Sequence, residues 1–194
     1  NATNERTVIA GVIPRVGVGN NFPLFFSLVD DIRLLAAFFG SLVSLVLDFH
    51  ARHKVGGTHL NFFIAQQLAI LPSDAYTKDD LDFIAPRVLE LVYTSGSLRP
   101  FAQDLGFTGA PFAWDPDRRA HVRAELDAYY ARLYGLNRDE LRYILDPADA
   151  YGPDYPSETF RVLRENEKKT FGDYRTARLV LAAWDRMEEG RSDP

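Results

Sequence analysis

The sequence predicts an α+β fold: a small N-terminal sheet packed on one long buried helix, followed by a mainly helical C-terminal half. Three observations carry this reading. β-Forming residues gather at the start, with Thr7, Val8, Ile9, Val12 and Ile13 closed by Pro14. A stretch that is apolar on nearly every face, Leu34 to Leu47, follows, as in a helix enclosed by other elements. From Thr77 onward, capping residues alternate with glycine and proline stops, each pair marking out a helix.

In order along the chain, residues 6–15 read as a strand, and Gly17, Gly19, Asn20, Asn21 and Pro23 as a loop. Leu24 to Leu28 is a second short strand. Asp30 or Asp31 caps the long helix, which runs to about Lys54. Arg52, His53 and Lys54 in its last turn suit the negative end of the helix dipole, and Gly56-Gly57 stops it. Thr58 to Leu71 reads as a turn and a strand closed by Pro72. Thr77, with Asp79-Asp80, opens a helix to about Tyr93, and Ser95 to Pro100 form a loop.

Asp115-Pro116 begins a helix to about Leu133, with proline at its first turn. Asn137 caps a shorter one through Leu145, and Asp146 to Pro156 form a loop. Ser157-Glu158 starts a helix to about Thr170, Gly172-Asp173 breaks it, and the last helix spans about Tyr174 to Glu188. The expected organisation is one unit over 3–75, a helical extension over 76–189 sharing its core, and a loose tail at 190–194.

Composition narrows the possible chemistry. The chain has 194 residues, 46% apolar and 25% charged, with 14 Phe and 9 Tyr to build a core. Cysteine is absent, which excludes disulfides, cysteine-ligated zinc and a cysteine nucleophile. That is compatible with a reducing cytoplasm, the expected location. The apolar stretch is too short to cross a bilayer. A net charge of −5 argues against a domain that coats nucleic acid, while leaving room for contact through a local basic patch. The start, Asn1-Ala2-Thr3 without Met, reads as a tag scar followed by a cut from a longer protein.

Several residue groups carry possible chemistry. Three of the four histidines, His50, His53 and His59, lie near Asp48. His50 and His53 share a helix face, but no HExxH-like signature completes a metal site. Pro153-Asp154 with Glu167-Lys168-Lys169 resembles a PD…ExK nuclease string, yet Glu167 falls within a helix, where Glu167 and Lys169 face different ways. Arg161, Arg164, Lys168, Lys169, Arg175 and Arg178, interrupted by acids, read first as a solvated helix surface and second as phosphate contacts. Arg52 to Asn61 packs Arg, Lys, two His, Thr and Asn around a glycine pair. It fits either an ordinary helix stop or a loop that bonds phosphates and base edges. There is no GxGxxG, no P-loop, no Asn-Pro-Pro-Tyr or Asp-Pro-Pro-Tyr string and no recognisable Ser–His nucleophile motif.

Residues 5–72 resemble the closing part of the target-recognition domain in type IIG restriction-modification enzymes and related adenine-specific DNA methyltransferases. The matching pieces are Glu5-Arg6-Thr7-Val8-Ile9-Ala10-Gly11-Val12-Ile13-Pro14, Phe39-Gly40-Ser41-Leu42-Val43, Asp48-Phe49-His50-Ala51-Arg52, Gly56-Gly57-Thr58-His59-Leu60-Asn61 and Gln67-Leu68-Ala69-Ile70-Leu71-Pro72. Ala69 stands where that family usually carries proline. Leu133-Tyr134-Gly135-Leu136, Asp139-Glu140-Leu141-Arg142-Tyr143-Ile144-Leu145-Asp146 and Tyr174-Arg175-Thr176-Ala177-Arg178-Leu179 are similar to the C-terminal ends of large methyltransferase-type proteins of phage-defence systems.

The resemblance implies a non-catalytic specificity module. Its partners would be double-stranded DNA and a catalytic methyltransferase portion that binds S-adenosylmethionine and flips the target adenine. The DNA-facing candidates are Arg15, Asn20, Asn21, Arg52, Lys54, Thr58, His59 and Asn61. The alternative is a helical docking module of the same kind of enzyme that touches little DNA. The two readings part at Arg52–Asn61: side chains turned into the core or paired with carboxylates favour docking.

Overall fold

Four of the caps read from the sequence, Asp31 among them, open helices in the computed structural model, which describes residues 4–19, 24–56 and 60–190. Thr77 and Asn137 each form a reciprocal capping box, with Asp80 and Glu140, at the starts of α4 (Lys78–Val92) and α7 (Arg138–Leu145). Asp115 accepts from the amides of Asp117 and Arg118 and starts α6 (Pro116–Leu133). The remaining helices are α1 (Ile32–Val43), α2 (Leu45–Lys54), α3 (Phe62–Ala65), α5 (Arg99–Asp104), α8 (Pro147–Tyr151), α9 (Arg161–Phe171) and α10 (Arg175–Glu188). α5 and α8 lie in stretches that the sequence reading left as loops.

The expected α+β class is wrong. Helix accounts for 61% of the chain, and the described residues contain no strand or sheet. The segment from Thr7 to Ile13 is extended, as its β-forming residues dictate locally, and it keeps a two-residue alternation: Val8 is 6% exposed and Ile9 75%. A strand also needs a neighbouring backbone to ladder with, and among the described residues none pairs with it. Leu24 to Leu28 is likewise irregular. Of the stretch expected to run as a strand to Leu71, the described residues form the short α3, capped by Asn61, and turns.

The long helix is two helices, which meet at 57°. Ser44 ends α1 and begins α2. Its hydroxyl donates to the Ser41 carbonyl (2.9 Å) and accepts from the Leu47 amide (3.3 Å). The next orphan amide, that of Leu45, is taken by Asp127 Oδ1 of α6 at 2.7 Å. Side chains at the break thus take the Leu45 and Leu47 amides, which helps a helix start be tolerated in a buried place. No single helix among the described residues is long and apolar enough to cross a membrane.

α6 is the central element, packed against α10, α4 and α2. Its Ala124, Ala128 and Ala131 join a core with α7, α9, α10 and the start of α2. Its Val122, Leu126 and Tyr130 join a second core with α1, α4 and α5. A third, smaller cluster gathers Val8, Leu42, Leu47, Ala51 and Leu68, so the N-terminal segment is tied to the α1–α2 pair.

Close approach of α1 and α6 depends on Gly40, where a Cβ would sit 2.7 Å from Tyr130 Oη. That hydroxyl donates to the Ala37 carbonyl at 2.6 Å. Gly40→Ala is therefore expected to destabilise the protein by about 1–3 kcal/mol through overpacking. In urea unfolding, a Gly40→Ala/Tyr130→Phe cycle should show the two changes costing less together than the sum of each alone; strict additivity would refute the proposed clash.

Candidate functional site

The last turns of α2 hold the segment that the sequence singled out. Asp48 is 1% exposed, and its carboxylate is filled on both sides. Oδ1 accepts the amides of Thr7 and Val8, each at 2.7 Å, and Oδ2 accepts Arg52 Nε at 2.9 Å. Arg52, one turn on, donates through Nη2 to the carbonyls of Asn4 and Glu5, both at 2.8 Å. Its guanidinium lies 4.7 Å from the centre of the Phe160 ring. The two side chains form a clamp that grips the main chain of residues 4–8 and ties it to α2 and α9.

This placement decides what each predicted DNA-facing residue does. The Arg52 side chain is 7% exposed and its guanidinium turns inward to a carboxylate, two carbonyls and a ring. Asn61 spends its side chain on the α3 N-terminus, accepting from the Ile64 amide at 2.9 Å. Arg15 and Lys54 are exposed. Asn20, Asn21, Thr58 and His59 lie outside the described residues. The sequence did contain a signal for the clamp: Asp48 and Arg52 stand four apart on a helix, the spacing of an ion pair.

The other candidate chemistries are not assembled. His53 Nδ1–H donates to the Phe49 carbonyl (2.8 Å), and its ring packs on Phe49. His50 Nε2 lies 3.4 Å from the Gln67 carbonyl. Among the described residues no three potential metal ligands converge. Glu167 accepts from the Thr176 amide and hydroxyl (2.7 and 2.6 Å), capping α10 from α9. In the C-terminal basic stretch, Arg161, Arg164, Arg175 and Arg178 each pair with a carboxylate, while Lys168 and Lys169 are exposed.

The feature that sequence reasoning missed is an apolar groove of about 810 Å³. One wall is the extended segment 7–17. The other is α1, through Leu35, Phe38, Phe39 and Leu42, with Phe25 resting on Phe38 at 5.7 Å. Two of its lining residues are widely open to solvent: Ile9 is 75% exposed and Phe26 70%. Single exposed apolar residues are ordinary, but a contiguous patch marks a surface that another body covers.

Asp48→Ala is expected to cost about 3–5 kcal/mol, because it strands a buried guanidinium and two amides. Amide exchange of Thr7 and Val8, slow in the intact protein, should become as fast as that of unprotected backbone. Retained protection in the variant would show that the clamp is not what holds this segment.

Compared with known proteins, the chain matches no protein family, no curated protein and no solved structure.

Proposed function

We propose that this chain is a docking and scaffolding module of a larger DNA-modifying enzyme, of the restriction-modification or adenine-specific methyltransferase type. It performs no reaction of its own and presents an apolar, strand-like face to the catalytic portion. The observation that carries this reading is the groove beside segment 7–17. There an extended backbone without ladder partners among the described residues, an alternating side-chain pattern and exposed Ile9 and Phe26 coincide. The inward turn of Arg52 supports it, because the residue best suited to contact DNA on composition is committed to holding the chain's own backbone. The type of parent enzyme rests on the sequence resemblance. S-adenosylmethionine belongs to that parent's catalytic portion.

Direct reading of double-stranded DNA by this chain is the second reading. It is favoured by one observation: Arg15 and Lys54 are exposed cations, and Arg15 borders the groove.

The two readings separate in one pair of assays. Mixed with the catalytic portion of its parent enzyme, the chain should form a complex on size-exclusion chromatography that Ile9→Glu/Phe26→Glu weakens at least tenfold, since about 1.4 kcal/mol of lost apolar contact suffices. Undiminished assembly of that variant would sink the docking surface. In the second assay, duplex DNA is titrated at low and moderate salt. Salt-sensitive binding lost in Arg15→Ala/Lys54→Ala would return DNA contact to this chain.

A further inference from the structure

A second cavity, of about 420 Å³, opens between α6, α9, α10 and residues 5–6, away from the apolar groove. Three arginines from three different elements line it: Arg6, Arg123 of α6 and Arg175 of α10. Two are compensated. Arg6 pairs with Asp127 at 3.3 Å and Arg175 with Asp117 at 2.9 Å. Arg123 has no ion-pair or hydrogen-bond partner among the described residues, although it borders the same space.

Three carboxylates share the wall, each with hydrogen-bond donors of its own. Glu5 accepts from Asn166 Nδ2 at 2.6 Å, Glu167 caps α10, and Asp127 serves Leu45 and Arg6. One turn before Arg123, Arg119 is 9% exposed, and its Nε and Nη1 are buried without a hydrogen-bond partner. Its guanidinium lies 3.8 Å from the centre of the Trp114 ring. Two successive turns of α6 thus carry guanidinium groups without an ion pair among the described residues, Arg119 buried and Arg123 exposed. Desolvation lowers the pKa of Arg123 and the like charge of Arg6 adds to it, while the Asp127 carboxylate opposes both. Burial lowers that of Arg119 in the same way, with Arg123 as the next cause. The like charges of Arg6 and Arg123 repel one another across this space, and an anion held between them would relieve that repulsion.

We propose that this cavity is a binding site for a phosphate group, gripped by the forked guanidinium groups of Arg123 and Arg6, with Arg175 contributing from the start of α10. Planar guanidinium forks match phosphate oxygens in pairs. The cavity also has room for whatever the phosphate is attached to. That phosphate belongs either to a nucleic-acid backbone or to a small phosphorylated molecule, and the site is independent of the docking surface.

The test is calorimetric titration of the chain with inorganic phosphate at low ionic strength, repeated with chloride at matched strength. Phosphate should bind saturably, and Arg123→Ala should weaken it about tenfold or more, the loss of one charge-assisted contact. Arg123→Lys should retain part of the affinity. Arg123 makes no internal bond, so the melting temperature of Arg123→Ala without phosphate should match that of the unaltered chain, separating a binding role from a structural one. Absence of phosphate binding at millimolar concentration, or equal binding by Arg123→Ala, overturns the proposal. A short DNA duplex then identifies the source. Displacement of phosphate by duplex, with a salt dependence reduced by about one counterion in Arg123→Ala, assigns a nucleic-acid backbone. Binding of phosphate that duplex does not displace assigns a small phosphorylated ligand.

Discussion

The carboxylate of Asp127 sits where three parts of the chain meet, and their relative placement depends on it. It projects from the central helix α6, 3% exposed. One oxygen receives the Leu45 amide at the break between α1 and α2, the other the Arg6 guanidinium. Without that acceptor the first amide of α2 would be buried and unpaired, at a cost of about 1–3 kcal/mol, and the bend would lose its fixed angle. Burial pushes the Asp127 carboxyl above the usual carboxylate range, while the Arg6 charge and the Leu45 amide pull it back. The site is thus a compromise between desolvation and hydrogen bonding.

Around this point α6 acts as a wall between two cores. A helix buried on opposite faces cannot carry one apolar stripe. Its small alanines face α10 and allow close approach, while Val122, Leu126 and Tyr130 fill the other side. Charged residues of α6 are buried as well: Asp127 holds the α1–α2 break and Glu125 pairs with Arg87, while Arg119 and Arg123 stand one turn apart. Neither has an ion pair among the described residues, because acids nearby are paired with other arginines: Asp127 with Arg6, Asp117 with Arg175 and Glu90 with Arg118.

The helical half was legible in the sequence because capping is local chemistry. Thr77, Asp115 and Asn137 each announce a helix through a side chain that reaches an amide two or three residues on. The sheet was misread because β-propensity records how well a residue suits a pleated surface, not whether a partner strand exists. The bend at Ser44 left no glycine or proline to read; it needed a carboxylate from 82 residues away. At the candidate site, Arg, His and Lys around glycines suggested a surface loop by composition, whereas Asp48 four residues before Arg52 was the better guide. The unpaired state of Arg123 cannot be read locally at all, since it depends on which acids three other segments bring near.

The clamp formed by Asp48 and Arg52 holds its segment entirely through main-chain atoms: two amides and two carbonyls. Such a grip does not depend on the identity of the side chains it passes over. The outward positions, Ile9 and Ile13 among them, can therefore change by drift without loosening the attachment. A segment anchored in this way can vary along its outer face while its attachment to the helices stays the same.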